Sequence, residues 1–315
     1  MDKRKLTGTL LLFLAAFIWG TSFVAQDVGA ETIGSFTYQA VRNLMAAVVL
    51  LPIGLLSEHF AKKRADWQPP TPQSRKYLWL GGLGCGLLLS AAVILQQFGI
   101  AGNVTSPGKD AFITALYIVF VPLIGLCFGK RSQPHVYLCV VVALAGLWLL
   151  CMGGSGITTA DIMVIICSVA FSCHIVLVDT VAPHVNGIML SCLQFFVAAI
   201  ISFAGMLICE EPSMSAILKA WFPLFYSGVL SGAGAYTLQI LGQKHTPVTV
   251  GSLVMSLEAV FAVVASMIML PEVPAPTARE WWGMALIFAA IIVTQIPIRY
   301  GKTKKPPNGV RKRDV

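Results

Sequence analysis

One carboxyl group stands alone in a long apolar stretch of this chain. Glu258 is the only residue that can carry a charge in the 24 residues from Pro247 to Leu270. At about 1.5 Å per residue, this stretch is long enough to cross a bilayer core of roughly 30 Å. A carboxylate at its middle costs on the order of 2.5–3.5 kcal/mol on insertion scales, so we expect it to face protein or water. Glu258 therefore marks either a solute path, where it could exchange a proton or cation, or a polar packing contact.

A second ionisable residue in apolar surroundings is Arg42, which lies in the stretch 34–56. A guanidinium roughly 12 Å inside a span has to pair or meet water. It could hold the carboxylate of a solute through two parallel hydrogen bonds. It could equally form a structural salt bridge with Asp27, Glu31 or Asp110, and both interpretations stay open.

Neutral side chains in other apolar stretches could complete a solute site. Glutamines can hydrogen-bond a polar solute and aromatic rings can stack on it, although hydrogen bonds between helices are the simpler alternative. With Arg42, the predicted substrate-binding residues are Trp19, Gln97, Tyr117, Gln194, Tyr236 and Gln239, and Glu258 is assigned to proton or cation coupling. His174 is interpreted as a helix-interface histidine.

Composition decides the class of protein that must position these residues. Of the 315 residues, 57% are hydrophobic and 11% are charged, whereas soluble domains carry roughly 25% charged residues. This predicts an all-α integral membrane protein. The net charge of +8 lies in short clusters between apolar stretches, which favours orientation signals and lipid headgroup contacts over nucleic acid. The expected partners are a small-molecule solute and membrane lipids, and the oligomeric state stays open, a monomer included.

About 20 apolar residues are needed for each membrane-spanning helix, and this rule predicts ten spans. They lie at 6–26, 34–56, 77–99, 105–128, 134–152, 158–179, 186–209, 219–242, 247–270 and 280–298. With the N-terminus inside, 18 Lys and Arg residues fall on the inner side and 3 on the outer side. Because cytoplasmic loops carry an excess of Lys and Arg, this distribution predicts that both termini are cytoplasmic. The membrane is expected to be a plasma membrane, the inner membrane if the source is bacterial. The basic tail 299–315 is expected to be disordered.

An internal repeat relates the two halves of the chain. At an offset of 152 residues Arg42 lies over Gln194, and at 146 the pair Gly82-xxx-Gly86 lies over Gly228-xxx-Gly232. We therefore expect five-helix repeats at 6–152 and 158–298. Because five is odd, the second repeat enters the membrane from the opposite side, as in alternating-access carriers. The counterpart of Glu258 stays open between Tyr117, at an offset of 141, and Val121, at 137.

Several short motifs resemble those of a known family. They are Trp19-Gly20-Thr21-Ser22-Phe23, Arg42, Thr105-Ser106, and Ser256-Leu257-Glu258-Ala259-Val260-Phe261. In ten spans and two halves, the chain resembles the EamA-type transporters of the drug/metabolite transporter superfamily. The family pattern Leu-Glu-Pro-Val-Phe has a proline where this chain has Ala259. Spans four and nine there often end in Gly-Glu, whereas here they end in Gly129-Lys130 and Pro271-Glu272.

The resemblance implies a solute carrier with a central cavity lined by both halves. The expected function is secondary-active export (efflux) of amino acids or related small polar metabolites by alternating access. Import of a vitamin-like or nucleotide-like solute is the alternative. A membrane-embedded enzyme or receptor is a different class, and we find no clustered acids or nucleophile–base pair to support catalysis. Histidine and cysteine spacing gives no support for a metal or cofactor, so none is expected.

Overall fold

The computed structural model describes residues 3–63, 67–102, 107–151, 158–270 and 277–296. The motif Thr105-Ser106, the pair Pro271-Glu272 and the basic tail 299–315 lie outside the described residues. Within these ranges the regular structure is entirely helical.

The helices of the first half of the chain are α1 Lys3–Ala30, α2 Ser35–Lys62, α3 Pro72–Gly102, α4 Pro107–Thr114, α5 Tyr117–Cys127 and α6 Pro134–Cys151. Those of the second half are α7 Thr159–Val181, α8 Gly187–Cys209, α9 Met214–Lys219, α10 Trp221–Phe225, α11 Tyr236–Gln243, α12 Val248–Met255, α13 Leu257–Met269 and α14 Ala278–Gln295. A short 3₁₀ turn, Ala182–His184, follows α7, and a π-helix, Tyr226–Ala235, joins α10 to α11.

Seven helical stretches in the described residues are long and apolar enough to cross a membrane. They are Lys3–Ala30, Ser35–Lys62, Pro72–Gly102, Pro107–Cys127, Thr159–His184, Gly187–Cys209 and Val248–Met269. Two shorter apolar helices lie at Pro134–Leu149 and Trp281–Thr294. The remaining predicted span, 219–242, corresponds to the run of α10, the π-helix and α11.

The predicted span 105–128 is interrupted in the middle. The sequence favours a bend at Pro122, but Pro122 lies inside α5 and the break comes earlier, at Ala115 and Leu116. There the backbone tightens: the amides of Ile118 and Val119 bond to carbonyls three residues back, at 3.1 and 2.9 Å. Such 3₁₀ bonds end one helix and begin another.

The predicted span 247–270 is interrupted in the same way, at Ser256 between α12 and α13. Ala259 replaces the proline of the family pattern, yet the break is present. The hydroxyl of Ser256 donates to Leu253 O at 2.8 Å and that of Ser252 to Thr249 O at 2.9 Å. Serine side chains that bond back to the preceding turn bend helices, which explains a break without proline. At an offset of 141, Ala115 aligns with Ser256 and Tyr117 with Glu258.

The two broken helices cross at the centre of the bundle. The first half of each packs on the second half of the other, α4 on α13 and α12 on α5. Around them α2 pairs with α8, α3 with α7, and α6 with α14, while α1 packs against α11, α13 and the π-helix. Both breaks are therefore held side by side in the interior.

Glycine lets α1 approach α13 next to the central carboxyl. A Cβ atom at Gly20 would lie 2.7 Å from the carbonyl oxygen of Glu258 and 2.9 Å from the amide of Ala262. At the other end of the same seam, a Cβ at Gly8 would lie 2.6 Å from the hydroxyl of Thr246. Small residues at such positions allow close backbone packing. The contact between α1 and α13 therefore combines close backbone approach at Gly20 with the rings of Phe13 and Phe17 packed edge-on against Phe261.

The other broken helix is joined to α7 by charge. Lys109, in the first turn of α4, donates to Asp161 at 2.9 Å, and Lys130, just beyond α5, bonds Asp179. The Asp161 carboxylate also completes a capping box with Thr158 at the start of α7. An ion pair thus lies at each end of the contact between α4–α5 and α7.

A glutamate from the second half caps a helix of the first half. The N-cap of α2, Gly34, has no side chain to cap with. The carboxylate of Glu210 replaces it, accepting from Phe36 N at 2.9 Å, Thr37 N at 2.8 Å and Thr37 Oγ1 at 2.6 Å. These bonds satisfy amides that a helix leaves free at its first turn.

We expect Glu210→Ala to lower the stability of the folded protein by about 0.5–2 kcal/mol, the range for loss of a helix N-cap. Thermal unfolding of the purified protein in detergent measures this. The matched control is Glu58→Ala, 152 residues earlier, because the facing helix α8 is already capped by Asn186. Equal melting temperatures for the two variants would contradict the assignment of Glu210 as a cap.

Candidate functional site

A cavity with about 400 Å³ of empty space lies between the two helix breaks. Its lining combines charged, amide, hydroxyl and aromatic side chains contributed by both halves of the chain. They are Trp19, Phe23, Gln26, Arg42, Gln96, Thr114, Tyr117, Phe171, Ile175, Ser231, Tyr236, Gln239 and Glu258. Apart from Trp19, which is partly buried, all are buried. The lining side chains are therefore largely shielded from solvent.

The guanidinium of Arg42 is held by neutral groups. It donates from Nη1 to Gln26 Oε1 at 2.9 Å, from Nη2 to Ser231 Oγ at 3.2 Å and from Nε to the Ser227 carbonyl at 3.1 Å. The last two partners lie in the π-helix, and π-helical turns recur at functional sites. Arg42 is 2% exposed, so its orientation is fixed by the fold.

The salt-bridge interpretation of Arg42 is not supported by these contacts. No carboxylate of the described residues lies within ion-pair distance of its guanidinium. Its three hydrogen bonds go to uncharged groups, so the positive charge itself has no counter-ion in the part of the chain that the structure describes. A buried cation in this state is suited to receive an anionic group of a ligand.

The carboxyl group of Glu258 lies in the first turn of α13, beside Tyr117 in the first turn of α5. Glu258 is 4% exposed, and its Oε1 has no hydrogen-bond partner among the described residues. The Tyr117 hydroxyl lies near enough to this carboxyl to interact with it. The two residues aligned by the offset of 141 therefore meet, and one oxygen of Glu258 keeps hydrogen-bonding capacity to spare among the described residues.

Tyr236 lies between the two charged ends of the cavity. Its hydroxyl is within electrostatic reach of both Arg42 and Glu258. Its ring packs edge-on against Trp19, with centroids 4.8 Å apart, and against Phe195 at 5.2 Å. Trp19 Nε1 and Gln239 Oε1 are buried without a hydrogen-bond partner in the described residues. An aromatic wall with unused donors and acceptors thus connects Arg42 to Glu258.

Six of the eight predicted site residues line this cavity: Trp19, Arg42, Tyr117, Tyr236, Gln239 and Glu258. The other two face neighbouring helices. Gln97 accepts from Gln39 at 3.2 Å and donates to the Gln26 carbonyl at 3.2 Å. Gln194 bonds the ring of His174 at 2.9 Å. Both are buried in interfaces rather than exposed to the cavity.

The sequence interpretation missed three polar residues around Arg42, namely Gln26, Ser227 and Ser231. Neutral hydroxyls are common in membrane helices, so residue type alone does not single them out. The run Ser227-Gly-Val-Leu-Ser231-Gly-Ala-Gly was the available signal, because it places two serines among small residues opposite a buried arginine. Thr114 lines the cavity at the end of α4 and bonds Gln96 at 3.2 Å.

The donor set of the site suits a polar organic solute. Within the described ranges, no three His, Cys, Asp or Glu side chains come together in a way that could hold a metal ion. The cavity instead offers one cation, one carboxyl and several neutral donors and acceptors. These are groups that bind a ligand by charge and hydrogen bonds.

The chain is similar to several bacterial and archaeal membrane proteins. It is 26% identical over 303 residues to an uncharacterized transporter of Archaeoglobus fulgidus, covering 94% of this chain and 88% of the relative. It is 25% identical over 231 residues to the uncharacterized inner membrane transporter YedA of Escherichia coli, covering 70% of each. It is 22% identical over 299 residues to the uncharacterized transporter YwfM of Bacillus subtilis, covering 94% and 96%.

Structural comparison gives the same fold in a protein of distant sequence. A crystal structure whose chain is 19% identical superposes with a TM-score of 0.69, covering 91% of this chain and 95% of the other. The model of the EamA-like transporter family matches the chain twice, at residues 6–152 and 158–296. Two copies in tandem cover nearly the whole sequence. The chain is a membrane transporter of the EamA-like transporter family.

Proposed function

We propose that this transporter is a secondary-active exporter of amino acids or related small polar metabolites. One observation carries the proposal: the central cavity is lined by a buried cation, Arg42, and a buried carboxyl, Glu258, together with aromatic side chains. Among the described residues Arg42 has no counter-ion and Glu258 Oε1 has no hydrogen-bond partner. A solute with a carboxylate and an amine matches both ends. The carboxylate would bind Arg42 and the ammonium group would approach Glu258.

The energetic cost of a charged Glu258 supports this assignment. A carboxylate at the membrane centre costs on the order of 2.5–3.5 kcal/mol, and a helix N-terminus offsets about 2 kcal/mol at most. The first turn of α13 alone therefore does not compensate a charged Glu258. A proton or a solute ammonium group can supply the remainder, and because both compete for one carboxyl, solute and proton would exchange there.

We further propose ten membrane spans in two inverted five-helix repeats, 6–152 and 158–298. The seven long helices, the two shorter ones and the run from Trp221 to Gln243 supply ten candidates. The reciprocal packing of α4 on α13 and of α12 on α5 supports an inverted relation. Exchange between the two halves around the fixed cavity would then give alternating access. The distribution of Lys and Arg favours cytoplasmic termini.

Flux into proteoliposomes tests the function. The purified full-length protein would be screened with radiolabelled amino acids, with and without an imposed pH gradient. We expect at least one zwitterionic amino acid to enter faster than into protein-free vesicles, and the gradient to change its rate. The control is vesicles that contain the Ser231→Trp variant, in which the new side chain blocks the central cavity. Equal flux with the unmodified and blocked proteins, for all amino acids tested, would contradict the proposal.

A further inference from the structure

An apolar groove opens on the outside of the bundle, away from the central cavity. Its walls are α2, through Val48 and Leu51, and α3, through Trp79; its floor is α8, through Met189 and Leu193. The groove has about 900 Å³ of empty space, part of it open to the outside, and is lined almost entirely by apolar side chains. Val48 and Trp79 are 61% and 65% exposed. In a membrane such a surface is covered by hydrocarbon.

Cations lie at one end of this groove. Arg75 and Lys76 precede Trp79 by four and three residues on α3, so they lie on the same helix face one turn nearer its start. Lys62 ends α2 on the stripe that carries Leu51. All three are exposed, and no ion pair is formed between them and the described carboxylates. Glu58, half-buried on the same stripe of α2, leaves the cluster net positive.

A second groove provides an internal comparison. It lies further along α2 and α8, with Ile200, Phe203 and Leu207 in its lining and about 720 Å³ of space. Ile200 and Phe203 are the residues at an offset of 152 from Val48 and Leu51. The residues equivalent to Arg75 and Lys76, at an offset of 146, are Trp221 and Phe222.

The two grooves are alike in their apolar lining, but the charged residues beside them differ. The residue equivalent to Lys62 is Met214, and the nearby cation Lys219 is accompanied by Glu210 and Glu211. Apolar shape alone would serve any lipid chain equally in both grooves. The cation cluster, present at one groove only, selects for a negative headgroup.

We propose that the groove between α2, α3 and α8 binds an anionic phospholipid, with an acyl chain along Val48 and Leu193 and the headgroup phosphate at Arg75, Lys76 and Lys62. Trp79 lies between the two regions, at the depth where indole rings collect at the membrane interface. Basic residues beside a membrane-facing groove bind anionic headgroups. The site is independent of the central cavity and of the solute transported.

Native mass spectrometry of the delipidated full-length protein tests this site. The probes are dioleoyl phosphatidylglycerol, which is anionic, and dioleoyl phosphatidylcholine, which has the same chains and no net charge. We expect phosphatidylglycerol to bind at least about tenfold more tightly. Arg75→Gln with Lys76→Gln should remove this preference, at about fivefold for each cation. Lys3→Gln with Arg131→Gln, two exposed basic positions outside the groove, should leave it unchanged.

Two further measurements distinguish binding of the lipid acyl chain from binding of its headgroup. Val48→Trp, which fills the groove, should weaken both lipids, and inorganic phosphate at millimolar concentration should displace neither. Equal affinities of the unmodified protein for the two lipids would overturn the proposal. So would an unchanged preference in the Arg75 and Lys76 double variant, or displacement of phosphatidylglycerol by inorganic phosphate, which would indicate a simple anion site.

Discussion

Glu258→Gln is expected to abolish the response of transport to an imposed pH gradient while leaving solute exchange in place. Glutamine has the shape of glutamate but cannot carry a proton in exchange for a solute. Gradient-driven accumulation in proteoliposomes should fall at least about tenfold, and counterflow between equal solute concentrations should stay within about threefold. The folded protein should be at least as stable thermally, because a buried ionisable group becomes neutral.

The control for this change is Glu211→Gln, which removes an exposed carboxyl at the end of α8. It should leave both gradient-driven and exchange transport unaltered. Tyr117→Phe removes the hydroxyl beside Glu258 and should alter the pH dependence without abolishing it. Full gradient-driven accumulation by Glu258→Gln would show that Glu258 is a packing residue.

Arg42→Met should weaken binding of a carboxylate-bearing solute by at least about a hundredfold, since charged hydrogen bonds contribute about 1.5–3 kcal/mol each. Arg42→Lys keeps the charge but loses the forked donor geometry, so an intermediate loss of about tenfold is expected. Binding of amino acids identified in the flux screen would be measured by scintillation proximity on monodisperse protein.

Arg42→Met also leaves Gln26 Oε1, Ser231 Oγ and the Ser227 carbonyl without their donor, so some thermal stability will be lost. The amide of the same amino acid separates the two effects, because it lacks the carboxylate. Its affinity should change little between the unmodified protein and Arg42→Met. If the acid and the amide lose affinity equally, Arg42 supports the fold and does not bind the solute.

The sequence predicted the membrane class and the helices well because long apolar runs are a strong signal. It placed Glu258 in a membrane helix, and the helix is present, but the break at Ser256 was not predicted. That break depends on serine hydroxyls bonding to the preceding turn and on the crossing with α4 and α5. Neither the rotamer of a serine nor the crossing of two helices can be read from spacing alone.

The glutamines show why single site residues are harder to predict than spans. Gln96 and Gln97 are adjacent, and only Gln96 lines the cavity. Successive residues point about 100° apart around a helix, so the assignment needs the rotation of α3 within the bundle. Gln194 was predicted from its alignment with Arg42, yet it bonds His174. An offset relates positions along the chain but does not fix which neighbour a side chain meets.

The ion pairs at the two ends of α7 have a consequence for which helices would move together. Lys109 pairs with Asp161 and Lys130 with Asp179, so α4–α5 is bound to α7 at both ends. We therefore expect α4, α5 and α7 to move as one rigid unit. Where α1 meets α13, Gly20 approaches the backbone of Glu258 and Ala262, and Phe13 and Phe17 pack on Phe261, so this contact is not made by opposite charges. The contact between α1 and α13 can shift without first separating opposite charges. If the two halves exchange during transport as proposed, we expect them to move relative to each other at the contact between α1 and α13, beside Glu258.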